Sequence, residues 1–67
     1  MHSGAVSDIR TAVIEGTTNY YLTVGGKCYR VSCLDNEEVI LVNVGDSVIL
    51  SYEAEFENEN IIPANIK

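Results

Sequence analysis

Residues 46–59 alternate between apolar and polar side chains with almost no error. Val48, Leu50, Tyr52, Ala54 and Phe56 share one parity, and Ile49, Ser51, Glu53, Glu55, Glu57 and Glu59 share the other. A period of two marks a β-strand with one buried and one wetted face, because successive side chains point to opposite sides. The spacing therefore predicts one long strand over 46–59 whose inner parity enters a core. Its outer parity is a ladder of carboxylates about 6.6 Å apart. Like charges placed this way repel and cost stability. Two explanations fit: charge guards an exposed sheet edge against aggregation, or the ladder meets a basic partner.

The other segments are also strand-like. Residues 6–15 place Ile9, Thr11 and Val13 on one face, and 16–19 have turn chemistry. Residues 20–24 and 27–34 flank Gly25-Gly26, and two glycines supply the positive φ that a two-residue hairpin loop needs. That hairpin sets Val24 opposite Lys27, Thr23 opposite Cys28, Leu22 opposite Tyr29, Tyr21 opposite Arg30 and Tyr20 opposite Val31. Tyr20, Leu22, Tyr29, Val31 and Cys33 then form a core face, with Tyr21, Thr23, Cys28 and Arg30 on the wetter side. Residues 38–44 are apolar and β-branched, which predicts a further buried strand. Ile61, Ile62 and Ile66 form a closing segment, with Pro63 at a sheet edge or turn.

No stretch has a convincing helical period. Five or six short strands in 67 residues must curl to hide one face and their edges. The prediction is an all-β fold: a small five- to six-stranded barrel, SH3-like or OB-like, forming a single domain over residues 6–67. Residues 1–5 are expected to be a disordered tail or a tag remnant.

Gly45-Asp46-Ser47-Val48-Ile49-Leu50 has the form G-D-x-V-x-L. It resembles the turn-plus-strand of small SH3-like and OB-like barrels, in which alternate apolar residues enter the barrel. Ile62-Pro63-Ala64-Asn65-Ile66 is similar to the I-P-x-N-hydrophobic close of signalling SH3 domains. The two pieces cover about a dozen residues. The gap between them is too short for the intervening strands of an SH3 domain. The chain also has no tryptophan, the residue with which those domains bind proline-rich peptides. The resemblance therefore supports a small barrel and not peptide binding.

The net charge of −6 is unevenly placed. Residues 1–36 balance Asp8, Glu15 and Asp35 against Arg10, Lys27 and Arg30. Residues 37–67 set Glu37, Glu38, Asp46, Glu53, Glu55, Glu57 and Glu59 against Lys67 alone, so the whole imbalance lies there. Such a surface opposes phosphate backbones and anionic lipid. The longest apolar runs are far below a membrane span, and the N-terminal residues lack the pattern of a signal peptide. Cys28 and Cys33, five apart, would lie roughly 16 Å from each other on one strand, too far for a disulfide. Two free thiols point to a reducing cytoplasm.

No catalytic set is visible. The one histidine is His2, in the expected tail, so neither cysteine has a partner base. Two cysteines and a remote histidine do not make a zinc site, and the acidic turns lack the calcium-loop pattern. No nucleotide-binding glycine motif occurs. The chain is expected to be a non-enzyme with no cofactor and no metal. Its expected role is a protein-binding module or small inhibitor, with Glu53, Glu55, Glu57, Glu59 and Tyr21 meeting a partner's basic surface. In its sharpest form the acidic strand mimics a nucleic-acid backbone, as in small acidic inhibitors from phages and mobile elements, which this chain resembles in size and charge. The alternative is an OB-like binder of single-stranded nucleic acid through Tyr21, Arg30 and Lys27. Apolar Ile40 and Ile49 with residual edges leave room for homo-oligomerisation.

Overall fold

The Gly25-Gly26 hairpin forms in the register that its flanking residues predict. A computed structural model describes residues 2–67. In it β2 (Thr17–Val24) pairs antiparallel with β3 (Lys27–Ser32), and every pair from Tyr20–Val31 to Val24–Lys27 is as expected. Gly25 and Gly26 have φ of 60° and 78°. A Cβ on Gly25 would also lie 2.8 Å from the ring of His2, so this position needs glycine twice over.

The first strand is longer than expected. β1 runs His2–Ile14, and its two halves have different partners. His2–Ala5 pair antiparallel with β4 (Ser47–Ser51), whereas Val6–Ile14 pair antiparallel with β2. A bulge between Val6 and Asp8 separates the halves. The extra residue resets the parity, so Val6 is buried although Asp8 is exposed. The expected tail over residues 1–5 is thus corrected at His2–Ala5, which are sheet; Met1 lies outside the described residues. The expected 16–19 turn is also corrected. The chain turns on Glu15 and Gly16, both at positive φ, so β2 starts at Thr17.

Two predicted strand segments are not strands. Glu37–Leu41, overlapping the expected strand 38–44, is a 3₁₀ helix. Val39 is buried and Val42 packs on the core, while Ile40, Leu41 and Val44 are exposed. An inward face recurring every three residues suits a 3₁₀ turn. The long alternating strand stops at Ser51. Val48 and Leu50 are buried, as the alternation requires, but the chain then leaves the sheet. Among the described residues its pairing runs out there: β1 pairs as far as Leu50, and β6 (Asn65–Ile66) reaches only Leu50 and Ser51. Four carboxylates repelling along an unpaired strand favour the turn instead. Ala54–Phe56 form a second 3₁₀ turn that returns Phe56 to the core, and Ala54 is exposed.

The last strand closes the structure. β5 (Ile61–Pro63) lies parallel to β3, and β6 lies antiparallel to β4. Only Ala64 separates them, and its N–H donates to the Arg30 carbonyl at 2.9 Å. The mixed sheet has the order β5-β3-β2-β1-β4-β6, so its two ends are consecutive pieces of one broken strand. Counted as one, they give a small, partly open barrel of five strands with a 3₁₀ helix between β3 and β4. That arrangement, with a parallel contact between β3 and the last strand, is the OB-like one of the two expected barrels. Its core is Val6, Leu22, Val24, Tyr29, Val31, Val39, Val48, Leu50, Ile62 and Ala64.

Asn36 locks the seam. It is 3% exposed, and its Nδ2 donates to the Ser32 carbonyl at 3.2 Å and to Asn65 Oδ1 at 3.1 Å. Its Oδ1 accepts the Ile66 N–H at 3.0 Å. One side chain therefore ties the end of β3 to β6, and every buried side-chain polar atom among the described residues has a partner.

Candidate functional site

The acidic segment is a loop on the barrel surface. Residues 52–60 connect β4 to β5, and Glu53, Glu55, Glu57 and Glu59 are all exposed. They do not form the expected ladder, because only residues up to Ser51 are strand. Local geometry holds them instead. The Phe56 N–H donates to the Glu53 carbonyl at 3.0 Å, Glu57 N–H to Ala54 at 3.2 Å and Glu59 N–H to Phe56 at 3.0 Å. Tyr52 and Phe56 are half-buried against the core, and Tyr52 stacks at a tilt on buried Tyr29 with ring centres 5.8 Å apart. Apolar residues thus root the loop at two points; Glu53 and Glu55 lie between them, Glu57 and Glu59 follow Phe56, and all four face water. The Arg10–Asp8 pair at 3.2 Å is the ion pair among the described residues, so none of the four carboxylates has a cationic partner.

This loop forms one wall of an open groove of about 640 Å³. Ile14 and Thr17 at the β1–β2 turn line it, as do Asn19, Arg30 and Ser32 on β2 and β3. Asp35 and exposed Leu34 also line it. Glu53 and Phe56 enter the groove from the loop. The further end of the loop, Glu57–Asn60, lines a second, shallow depression with Gly26, Lys27 and Cys28.

The sequence-predicted residues fall into two groups. Glu53, Glu55, Glu57 and Glu59 share the loop. Tyr21 is half-buried on the outer face of β2, opposite Arg30 on one side and Arg10 on the other. Arg10, Tyr21 and Arg30 therefore form a row across three strands, and Arg10 is the member that sequence reasoning missed. The signal for it was the Glu15-Gly16 turn, which fixes the β1–β2 register and hence Arg10 opposite Tyr21. Lys27 is separate from this row. It stands at the hairpin end beside the acidic loop.

His2 lies beside Tyr29, with the imidazole Nδ1 hydrogen-bonded to the phenol and the rings edge-on at 5.5 Å. The Tyr29 pKa is raised, first by burial and then by Tyr52. Both cysteines are free and half-buried. Burial pushes the Cys28 thiol up, Arg10 pulls it down to a lesser degree, and Asp8 adds a smaller upward push. A raised thiol has less thiolate near neutral pH and reacts slowly. Cys28 is thus expected to alkylate more slowly with iodoacetamide in the folded protein than in urea, as peptide mass spectrometry would show. Equal rates would mean that burial does not control this thiol. Among the described residues there is no cluster of three or more His, Cys, Asp or Glu able to hold a metal, and no helix is long and apolar enough to cross a membrane.

Compared with protein-family models, with curated proteins and with solved structures, the chain matches none of them.

Proposed function

We propose that this barrel is a non-catalytic binding module that docks the loop 52–60 and the adjoining groove on a basic surface of a partner protein. The observation that carries the reading is the set of four exposed, unpaired carboxylates on one loop rooted by Tyr52 and Phe56. Complementary charge speeds encounter and selects partners, while affinity needs apolar anchors as well. Leu34, 76% exposed, and Ile14, 46% exposed, supply them in the groove lining. The fitting partner segment is therefore basic and partly apolar. A surface built to hold a nucleic-acid backbone is one such partner, and occupying it would make this protein an inhibitor that acts by charge mimicry.

The test compares the wild type with a variant carrying Glu53→Gln, Glu55→Gln, Glu57→Gln and Glu59→Gln. A partner captured from the host at low salt and then purified is expected to bind the variant at least about tenfold more weakly, with a shallower salt dependence. Unchanged affinity and salt dependence would end the electrostatic reading.

A second reading rests on a separate observation. The row Arg10, Tyr21 and Arg30 lies on the outer β1–β3 face, and Arg30 also lines the groove. In OB-like barrels the β2–β3 face and the flanking loops hold oligonucleotides, with bases stacked on aromatics. Against it stand Asp35 and Glu53 in the same groove and the net charge of −6.

A further inference from the structure

Most of the barrel's backbone is paired, but β1 has one open side. β4 reaches only as far as Ala5, and Val6 is satisfied on that side by Gly45 and Asp46. Beyond it, Asp8–Ile14 have β2 on one side alone. In a two-residue hairpin the residues flanking the turn exchange the ladder bonds. The pair Ile14–Thr17 fixes the phase, so Ala12, Arg10 and Asp8 also bond to β2. The N–H and C=O groups of Ile9, Thr11 and Val13 then point outward. This edge has no proline, and no charged side chain among those three residues. Val13 is 70% exposed. Such an edge is a template for another strand.

We infer that its occupant is the same edge of a second copy, paired antiparallel about a two-fold axis at Thr11. The residues suit that partner and register. Centring on Thr11 sets Ile9 opposite Val13 of the partner subunit, apolar on apolar, and Thr11 opposite its own copy. Arg10 then faces Ala12, and Asp8 faces Ile14, so no like charges meet. Sliding the axis to Arg10 would set two guanidiniums face to face, which is destabilising. The Thr11 register also brings all three outward residues of both copies into hydrogen-bonding phase. The paired strands make one continuous sheet, which buries Val13 and leaves the loop 52–60 free.

Cross-linking tests the register directly. In a background of Cys28→Ser and Cys33→Ser, Thr11→Cys is expected to form an interchain disulfide under mild oxidation, because facing Cα atoms in a hydrogen-bonded antiparallel pair lie about 5.5 Å apart. Val13→Cys is expected not to, since that residue and its copy are about 14 Å apart in this register. Sedimentation supplies the second arm: a dimer for the wild type and a monomer for Thr11→Pro, with circular dichroism unchanged. Proline removes only the outward N–H, which suits an edge strand. Should the proline variant lose its fold, Thr11→Lys, at an exposed position, is expected to give the monomer at low salt by opposing two ammonium groups. A monomeric wild type at high concentration would overturn the inference. So would equal cross-linking at both positions, or a folded Thr11 variant that remains dimeric.

Discussion

Leu50→Ala is expected to remove about 2–5 kcal/mol of folding stability, read as a lower urea midpoint at an unchanged slope. Leu50 is fully buried and sits at a three-way junction. It pairs with His2 on one side and Ile66 on the other, so its side chain lies where the start of β1, the end of β4 and the closing strand meet. A chain of this length holds roughly 3–10 kcal/mol in total, from about 0.05–0.15 kcal/mol per residue. The substitution therefore takes a large share, and the variant is expected to be substantially unfolded at body temperature. Ile49→Ala is the control. Ile49 is adjacent but 46% exposed, and its loss is expected to stay within about 0.5 kcal/mol. Equal costs at the two positions would contradict the placement of β4.

The second large effect is at Asn36. Asn36→Ala strips the Ile66 N–H of its acceptor and Asn65 Oδ1 of a donor, while the Ser32 carbonyl still accepts the residue 36 N–H at 3.0 Å. A buried polar group left without a partner costs about 1–3 kcal/mol, and that cost falls here on the Ile66 N–H. Asn36→Asp distinguishes the donors from the acceptor. The carboxylate can still accept from Ile66, but it faces Ser32 and Asn65 oxygens with nothing to donate. It is expected to be as damaging as alanine at neutral pH, with stability recovering as the pH falls and the acid gains a proton. This direction follows from a carboxylate disfavoured in the folded state, whose folded pKa lies above its unfolded value, so protonation favours the fold. An Asn36→Asp variant as stable as wild type at neutral pH would show that the Nδ2 bonds hold nothing together.

What was legible in the sequence depended on whether pairing was local. The β2–β3 hairpin could be read residue by residue, because Gly25-Gly26 fixes the turn and the turn fixes the register. The inward set Leu22, Tyr29, Val31, Val48 and Leu50 followed from alternation alone. Alternation failed where it outlasted the sheet. Tyr52 to Glu59 keep the pattern of a strand, yet a strand needs neighbours, and the one-sequence view does not reveal where β1 and β6 end. It failed again at Val39 and Val42, because a short apolar run does not separate a buried strand from a 3₁₀ turn. His2–Ala5 were obscured by small and polar residues at the chain start, whose role is to pair with β4. Asn36 sits between acidic residues that carry no burial signal, and its buried role depends on Asn65 and Ile66, about thirty residues away. The acidic site kept its residues and lost its shape: four carboxylates on a rooted loop in place of a flat ladder.

That loop can be tested without knowing the natural partner. Isotope-labelled protein would be titrated by NMR at low salt, in one arm with a peptide of alternating lysine and leucine and in the other with a single-stranded oligothymidine. Salt-sensitive shifts are expected with the peptide, centred on the amides of residues 52–60 and reaching Ile14, Arg30 and Leu34 in the groove. None is expected with the oligonucleotide. Shifts along Arg10, Tyr21 and Arg30 with the oligonucleotide, and an unmoved loop with the peptide, would contradict docking through the loop.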